Sequence, residues 1–109
     1  MKIFTTYPQE RGRHTVNPGL LWEYRMDQFD WQKYRRVVVE RVISMGRLSD
    51  WYGAFDWSGG VRGVRKIARD EVVDLSPRNL DFMCMALNLK KEDTKCYRRQ
   101  LLRQAHLDS

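Results

Sequence analysis

The sequence predicts an all-α fold: a compact bundle of about five helices preceded by an irregular N-terminal arm. Three observations carry that reading. Apolar residues recur at the 3, 4, 7 spacing of a helical face in several separate segments, each bounded by residues that start and stop helices. No segment is a strand candidate; the one β-branched run, Val37 to Val39, lies inside a stretch whose period over roughly fifteen residues is helical. The stretch from Leu75 to Leu89 is the most apolar and has the clearest start, so it is expected to be the helix around which the others pack.

Residues 1–19 hold Pro8, Gly12, Pro18 and Gly19 among scattered polar residues. They read as an irregular arm ahead of a single helical domain over residues 20–106, with 107–109 as a frayed tail. Leu20-Leu21-Trp22 offers an apolar anchor. Asp30 is a good N-cap for the first long helix, with Phe29 and Tyr34 spaced as a hydrophobic staple. Trp31, Tyr34, Val38, Val42 and Met45 form its inner face, Gln32, Lys33, Arg36 and Glu40 its polar side, and Gly46 its left-handed stop. Ser49 starts a shorter, aromatic helix through Trp57, closed by Ser58-Gly59-Gly60. Residues 61–73 place Val64, Ile67, Ala68 and Val72 on one side and basic residues on the other. Ser76 then caps a helix that begins at Pro77, where the missing N–H has no helical partner to lose, and Leu75 with Leu80 forms a second staple. Leu80, Met83, Cys84 and Leu87 make its buried face. Glu92-Asp93-Thr94 opens the last helix, with acids at the positive end of the dipole and Tyr97, Leu101, Leu102 and Ala105 expected inward.

A chain of 109 residues, 42% hydrophobic and 31% charged, supports one modest core rather than two domains or a disordered tail. Its longest apolar runs, Val37 to Val39 and Phe82 to Leu87, fall far short of the ~20 residues a membrane span needs. The start lacks the apolar core and small-residue cleavage site of a secretion signal. Cys84 and Cys96 have no second pair, which is neither a disulfide framework nor a zinc spacing, and free thiols point to a reducing cytoplasm. The net charge of +6 is uneven. Arg62, Arg65, Lys66 and Arg69 lie together with no acid among them, and residues 90–103 hold Lys90, Lys91, Lys95, Arg98, Arg99 and Arg103 against Glu92 and Asp93. Such clusters fit nucleic acid or the acidic face of another protein, or are simply solvated helix faces.

The succession Leu21-Trp22, Phe29-Asp30-Trp31, Val39-Glu40-Arg41-Val42-Ile43-Ser44-Met45-Gly46 and Asp50-Trp51, then Leu75-Ser76-Pro77-Arg78-Asn79-Leu80 with Leu87-Asn88-Leu89, resembles a small bacterial domain family of unknown function. Members of that family are often encoded beside nucleotidyltransferase-type toxin proteins. The resemblance covers about residues 20–97, and its most specific piece is Val39-Glu40-Arg41-Val42 followed by Gly46 and then Leu75-Ser76-Pro77. It implies an antitoxin-like accessory role with a nucleotidyltransferase-like toxin as partner, and it carries no catalytic residue. The glycine-rich Gly59-Gly60-Val61-Arg62-Gly63 departs from the family, which tends to continue there into helix.

Three classes of function are weighed from the residues themselves. The first is a protein-binding module, in which Trp51, Tyr52, Phe55 and Trp57 supply the residue types that anchor interfaces and the neighbouring arginines grip an acidic toxin surface; the alternative is burial in a small core. The second is a helix-turn-helix: residues 64–73 support, Asp74-Leu75-Ser76 turn, and the segment from Pro77 to Asn88 recognises DNA. Arg78 suits guanine and Asn79 adenine, while Arg62, Arg65, Lys66 and Arg69 suit phosphates; the alternative is an ordinary helix pair in a bundle. Gly60-Val61-Arg62-Gly63 mimics a backbone-clamping RNA loop, but that fold needs a sheet. The third class, an enzyme, finds no support. His14 and His106 belong to no ligand spacing, and no Gly-x-Ser-x-Gly, phosphate-cradling loop or Cys/His arrangement occurs, so catalytic residues, metal and cofactor are all expected to be none.

Overall fold

A computed structural model describes residues 3–108. Its helices are α1 (Tyr7–Glu10), α2 (Arg35–Met45), α3 (Leu48–Ser58), α4 (Val61–Asp70), α5 (Pro77–Leu87) and α6 (Lys95–Asp108), with 3-10 turns at Pro18–Leu21, Met26–Gln28 and Lys91–Asp93. No strand occurs among the described residues, and the architecture is an all-α bundle.

Helices α2, α3 and α4 pack on one another; α5 lies against α2 and α4, and the start of α6 against α4. The centre of the bundle is therefore α2 and α4, not α5 as the apolar content of 75–89 suggested. Short side chains explain the difference: Val38, Val39, Val42 and Ile43 on α2, with Val64, Ile67 and Ala68 on α4, are buried and let several neighbours approach. Helix α5 buries Leu80, Met83, Cys84 and Leu87 on one side only and leaves Met85 exposed.

Local starts and stops follow side-chain chemistry. Asp30 Oδ1 accepts the N–H groups of Gln32 and Lys33, both at 3.1 Å, which caps a turn that becomes regular α2 at Arg35. Helix α3 starts one residue before Ser49, because Asp50 in its first turn accepts the Arg47 N–H at 2.8 Å. Gly46 ends α2 in an extended rather than left-handed conformation; its value lies in close approach, since a Cβ there would sit 2.6 Å from the Val42 carbonyl oxygen. At α5 the expected cap is present, with Ser76 Oγ accepting from the Asn79 N–H at 3.1 Å. Arg65 closes the other end of α5, donating from Nε to the Leu87 carbonyl at 2.7 Å and from Nη2 to that of Asn88 at 3.1 Å.

The arm is an integral part of the core. The Phe4 ring centre lies 5.0 Å from that of Trp51, tilted, and 4.8 Å from that of Phe55, edge to face, and Tyr7 packs edge to face at 5.0 Å from Phe55, while Tyr7 and Val16 are buried. Three carboxylates fasten otherwise irregular backbone. Asp56 accepts the Tyr7 hydroxyl and the Gly12 N–H, each at 2.8 Å, and Asp50 accepts the Asn17 N–H at 2.8 Å. Glu40, expected on the polar side of α2, is buried: it pairs with Arg36 and accepts the N–H groups of Val73 and Asp74, both at 2.9 Å. Those two N–H groups belong to the link after α4 and have no helical partner, which is why a carboxylate is held inside there.

Candidate interaction surface

The aromatic set proposed as a docking surface divides. Trp51, Tyr52 and Phe55 are buried and cannot reach a partner, because the arm with Phe4 and Tyr7 covers the face of α3 that carries them. Trp57 alone of the four is half-exposed; with Trp31, at a ring distance of 5.9 Å, it borders a cleft of about 390 Å³ whose other walls include His14 and Gly53. Trp22 is the exposed tryptophan.

The basic set divides as well. Arg62 and Lys66 are exposed on α4, Arg69 pairs with the adjacent Asp70, and Arg65 is turned inward onto the end of α5. Arg78 is exposed at the start of α5 and Asn79 half-buried beside it. The supporting helix α4 ends at Asp70, and the link to α5, residues 71–76, is longer than the roughly three- to four-residue turn of a helix-turn-helix. That link runs extended because Glu40, the Cys96 thiol (3.4 Å to the Val73 carbonyl) and Gln100 Nε2 (2.9 Å to the Leu75 carbonyl) hold it.

Helix α6 exposes apolar residues that the sequence reading placed inward. Its first turns are docked: Thr94 Oγ1 accepts the Tyr97 N–H at 3.3 Å, Cys96 is buried, and Gln100 reaches the link. Beyond Gln100 the helix outruns the core, and residues 101–107 are exposed throughout. Leu101 and Leu102, expected inward, are 50% and 71% exposed, Ala105 is exposed too, and Leu107 stands at 80%. The tail expected to fray from 107 is helical to Asp108. Lys95, Arg99 and Arg103 follow one another at four-residue spacing along α6 and, with Arg36 and Asp74, line an open cleft of about 490 Å³ between the helix and the 71–76 link. None of those three takes part in an ion pair among the described residues.

Burial pushes the Cys84 and Cys96 thiols above their ordinary range, which favours the thiol over the nucleophilic thiolate. Among the described residues no group of three His, Cys, Asp or Glu side chains converges as a metal cluster would, and no helix is long and apolar enough to cross a membrane. Residues 16–59 match the model of a family of unknown function, DUF6922. That stretch runs from the arm through α2 and α3, so the matched similarity stops short of α4, of Leu75-Ser76-Pro77 and of α6. Comparison with curated proteins and with solved structures returned no match.

Proposed function

We propose that this chain is a non-catalytic interaction protein, an antitoxin-like regulatory partner in a bacterial toxin system, and that it binds a protein through the outer half of α6. The observation that carries the reading is the exposure of Leu101, Leu102 and Leu107 on a helical segment that the core does not cover. A helix of this length gains most of its stability from packing an apolar face, so leucines on an uncovered extension call for a partner that packs them. The toxin setting rests on the sequence resemblance, and cytoplasmic residence on two free, buried thiols. Affinity capture from the native host with the chain and with its L101S/L102S variant tests the reading: a protein retained in stoichiometric amount by the first and lost from the second is expected, and identical eluates would reject it.

The alternative, a helix-turn-helix with the segment from Pro77 to Asn88 on DNA, draws on the exposure of Arg62, Lys66 and Arg78. Its test is a salt titration of duplex binding, since phosphate contacts must release counterions; an affinity indifferent to salt rejects it.

A further inference from the structure

Resting on the reading of α6 as the docking element, we infer that its partner is an acidic amphipathic helix, one whose apolar stripe is flanked by carboxylates. At about 100° per residue, Leu101, Ala105 and Leu102 occupy one arc of α6 of about 100°, wide enough to pack against one helix. Beyond the Leu102 side of that arc lie Lys95 and Arg99, Arg98 lies on the arc one turn before it, and Arg103 is turned to the opposite side of the helix. Between Thr94 and Leu107 the helix carries no acid at all. Helix pairs of this kind are selected by charges beside the apolar seam, so Lys95, Arg98 and Arg99, with no acid on their own helix before Asp108, specify carboxylates on the partner.

The same charges exclude a second copy of this chain as the natural occupant, because pairing α6 with itself would set arginine against arginine, where close like charges repel. Phosphates would satisfy the cations but leave Leu101 and Leu102 in water. A strand partner has no unpaired backbone to bond, since the exposed segment is helical to Asp108.

Selection of a displayed library of helical peptides on the full-length chain tests this, with seam positions drawn from Leu, Ile, Ala and Ser and flanking positions from Glu, Gln and Lys. Glu-flanked peptides with a Leu or Ile seam are expected to be recovered at least about tenfold over Lys-flanked ones, the effect of two or three ion pairs. An R98E/R99E variant is expected to reverse that preference, and L101S/L102S to abolish recovery of either kind. Recovery of Gln- or Lys-flanked peptides as efficient as that of Glu-flanked ones overturns the acidic partner while leaving α6 as the docking element. Recovery that survives L101S/L102S, or none from any peptide, overturns both. A dimer in sedimentation velocity that dissolves in L101S/L102S would give the face to a second copy, and duplex DNA binding lost in R98E/R99E but unchanged in L101S/L102S would give it to nucleic acid; either overturns the inference.

Discussion

The arm over α3 and the outer half of α6 both look, residue by residue, like segments that need covering, yet only the first is covered. Residues 3–17 contain little regular structure, but Asp56 and Asp50 accept hydrogen bonds from Tyr7, Gly12 and Asn17, and the bonded backbone then lays Phe4 and Tyr7 over Trp51, Tyr52 and Phe55. Residues 101–107 are regular helix; Cys96 and Gln100 bond α6 to the link before α5, and Leu101, Leu102 and Leu107 beyond them face water. The difference teaches that in this protein carboxylates on α3 that accept backbone and hydroxyl hydrogen bonds bring the apolar groups of the arm into the core. An irregular segment with such fasteners is built into the core, while the regular outer half of α6 leaves its leucines in water.

Breaking the covered side should have the largest effect. Phe55 is fully buried between α3 and the arm, so Phe55→Ala is expected to lower stability by about 3–5 kcal/mol, through lost burial and the cavity left behind. A shift of the urea midpoint with an unchanged slope would show it; a midpoint within experimental error of the parent would mean that the aromatic cluster is not the arm's seat. A smaller loss is expected where the arm crosses α3 most closely. A Cβ on Gly53 would lie 2.5 Å from the backbone of Thr15 and Val16, so Gly53→Ala must displace the arm, at about 1–3 kcal/mol. Faster hydrogen exchange at the Asn17 N–H, whose bond to Asp50 would lengthen, reports the displacement directly.

Next in size is Tyr7. Burial, reinforced by the hydrogen bond to Asp56, raises its phenol above the ordinary value of 10.0. A raised folded value means that the stabilisation is complete below pH ~10 and is lost as pH rises through the folded value. Tyr7→Phe is expected to cost about 1 kcal/mol at neutral pH, the usual worth of one such bond, and to be less sensitive to alkali than the parent. Denaturant titrations between about pH 8 and 11 check the sign; parent and variant falling in parallel would remove Tyr7 from the account.

Much of the bundle was legible because it depends on local pattern. Ser76 and Pro77 mark the start of α5, Val64, Ile67 and Ala68 the inner side of α4, and all do in the structure what their spacing predicts. What was illegible depends on distance. Nothing near Glu40 signals that it will meet the N–H groups of Val73 and Asp74, and nothing in Trp51, Tyr52 and Phe55 says that Phe4 and Tyr7 will cover them, so aromatic density read equally as surface or core. The error at α6 is of another kind. Periodicity identified Leu101, Leu102 and Ala105 as apolar neighbours on one side, but it says nothing about whether a core extends far enough to meet them. The one sequence feature that sets this segment apart is its charge: no acid occurs between Thr94 and Leu107.

The smallest expected effect is the one that tests the comparison from its uncovered side. If Leu101 and Leu102 are reserved for a partner, replacing both with serine should leave the isolated chain's stability within about 0.5 kcal/mol of the parent, as exposed substitutions do, since little burial is lost. The helix signal should fall only slightly, because serine is a weaker helix former at two positions of one segment. A substantial loss would mean that these leucines already pack within the chain, and the surface assigned to α6 would close. Stability unchanged together with partner binding lost separates the two roles cleanly, because a residue that holds the fold cannot satisfy both conditions.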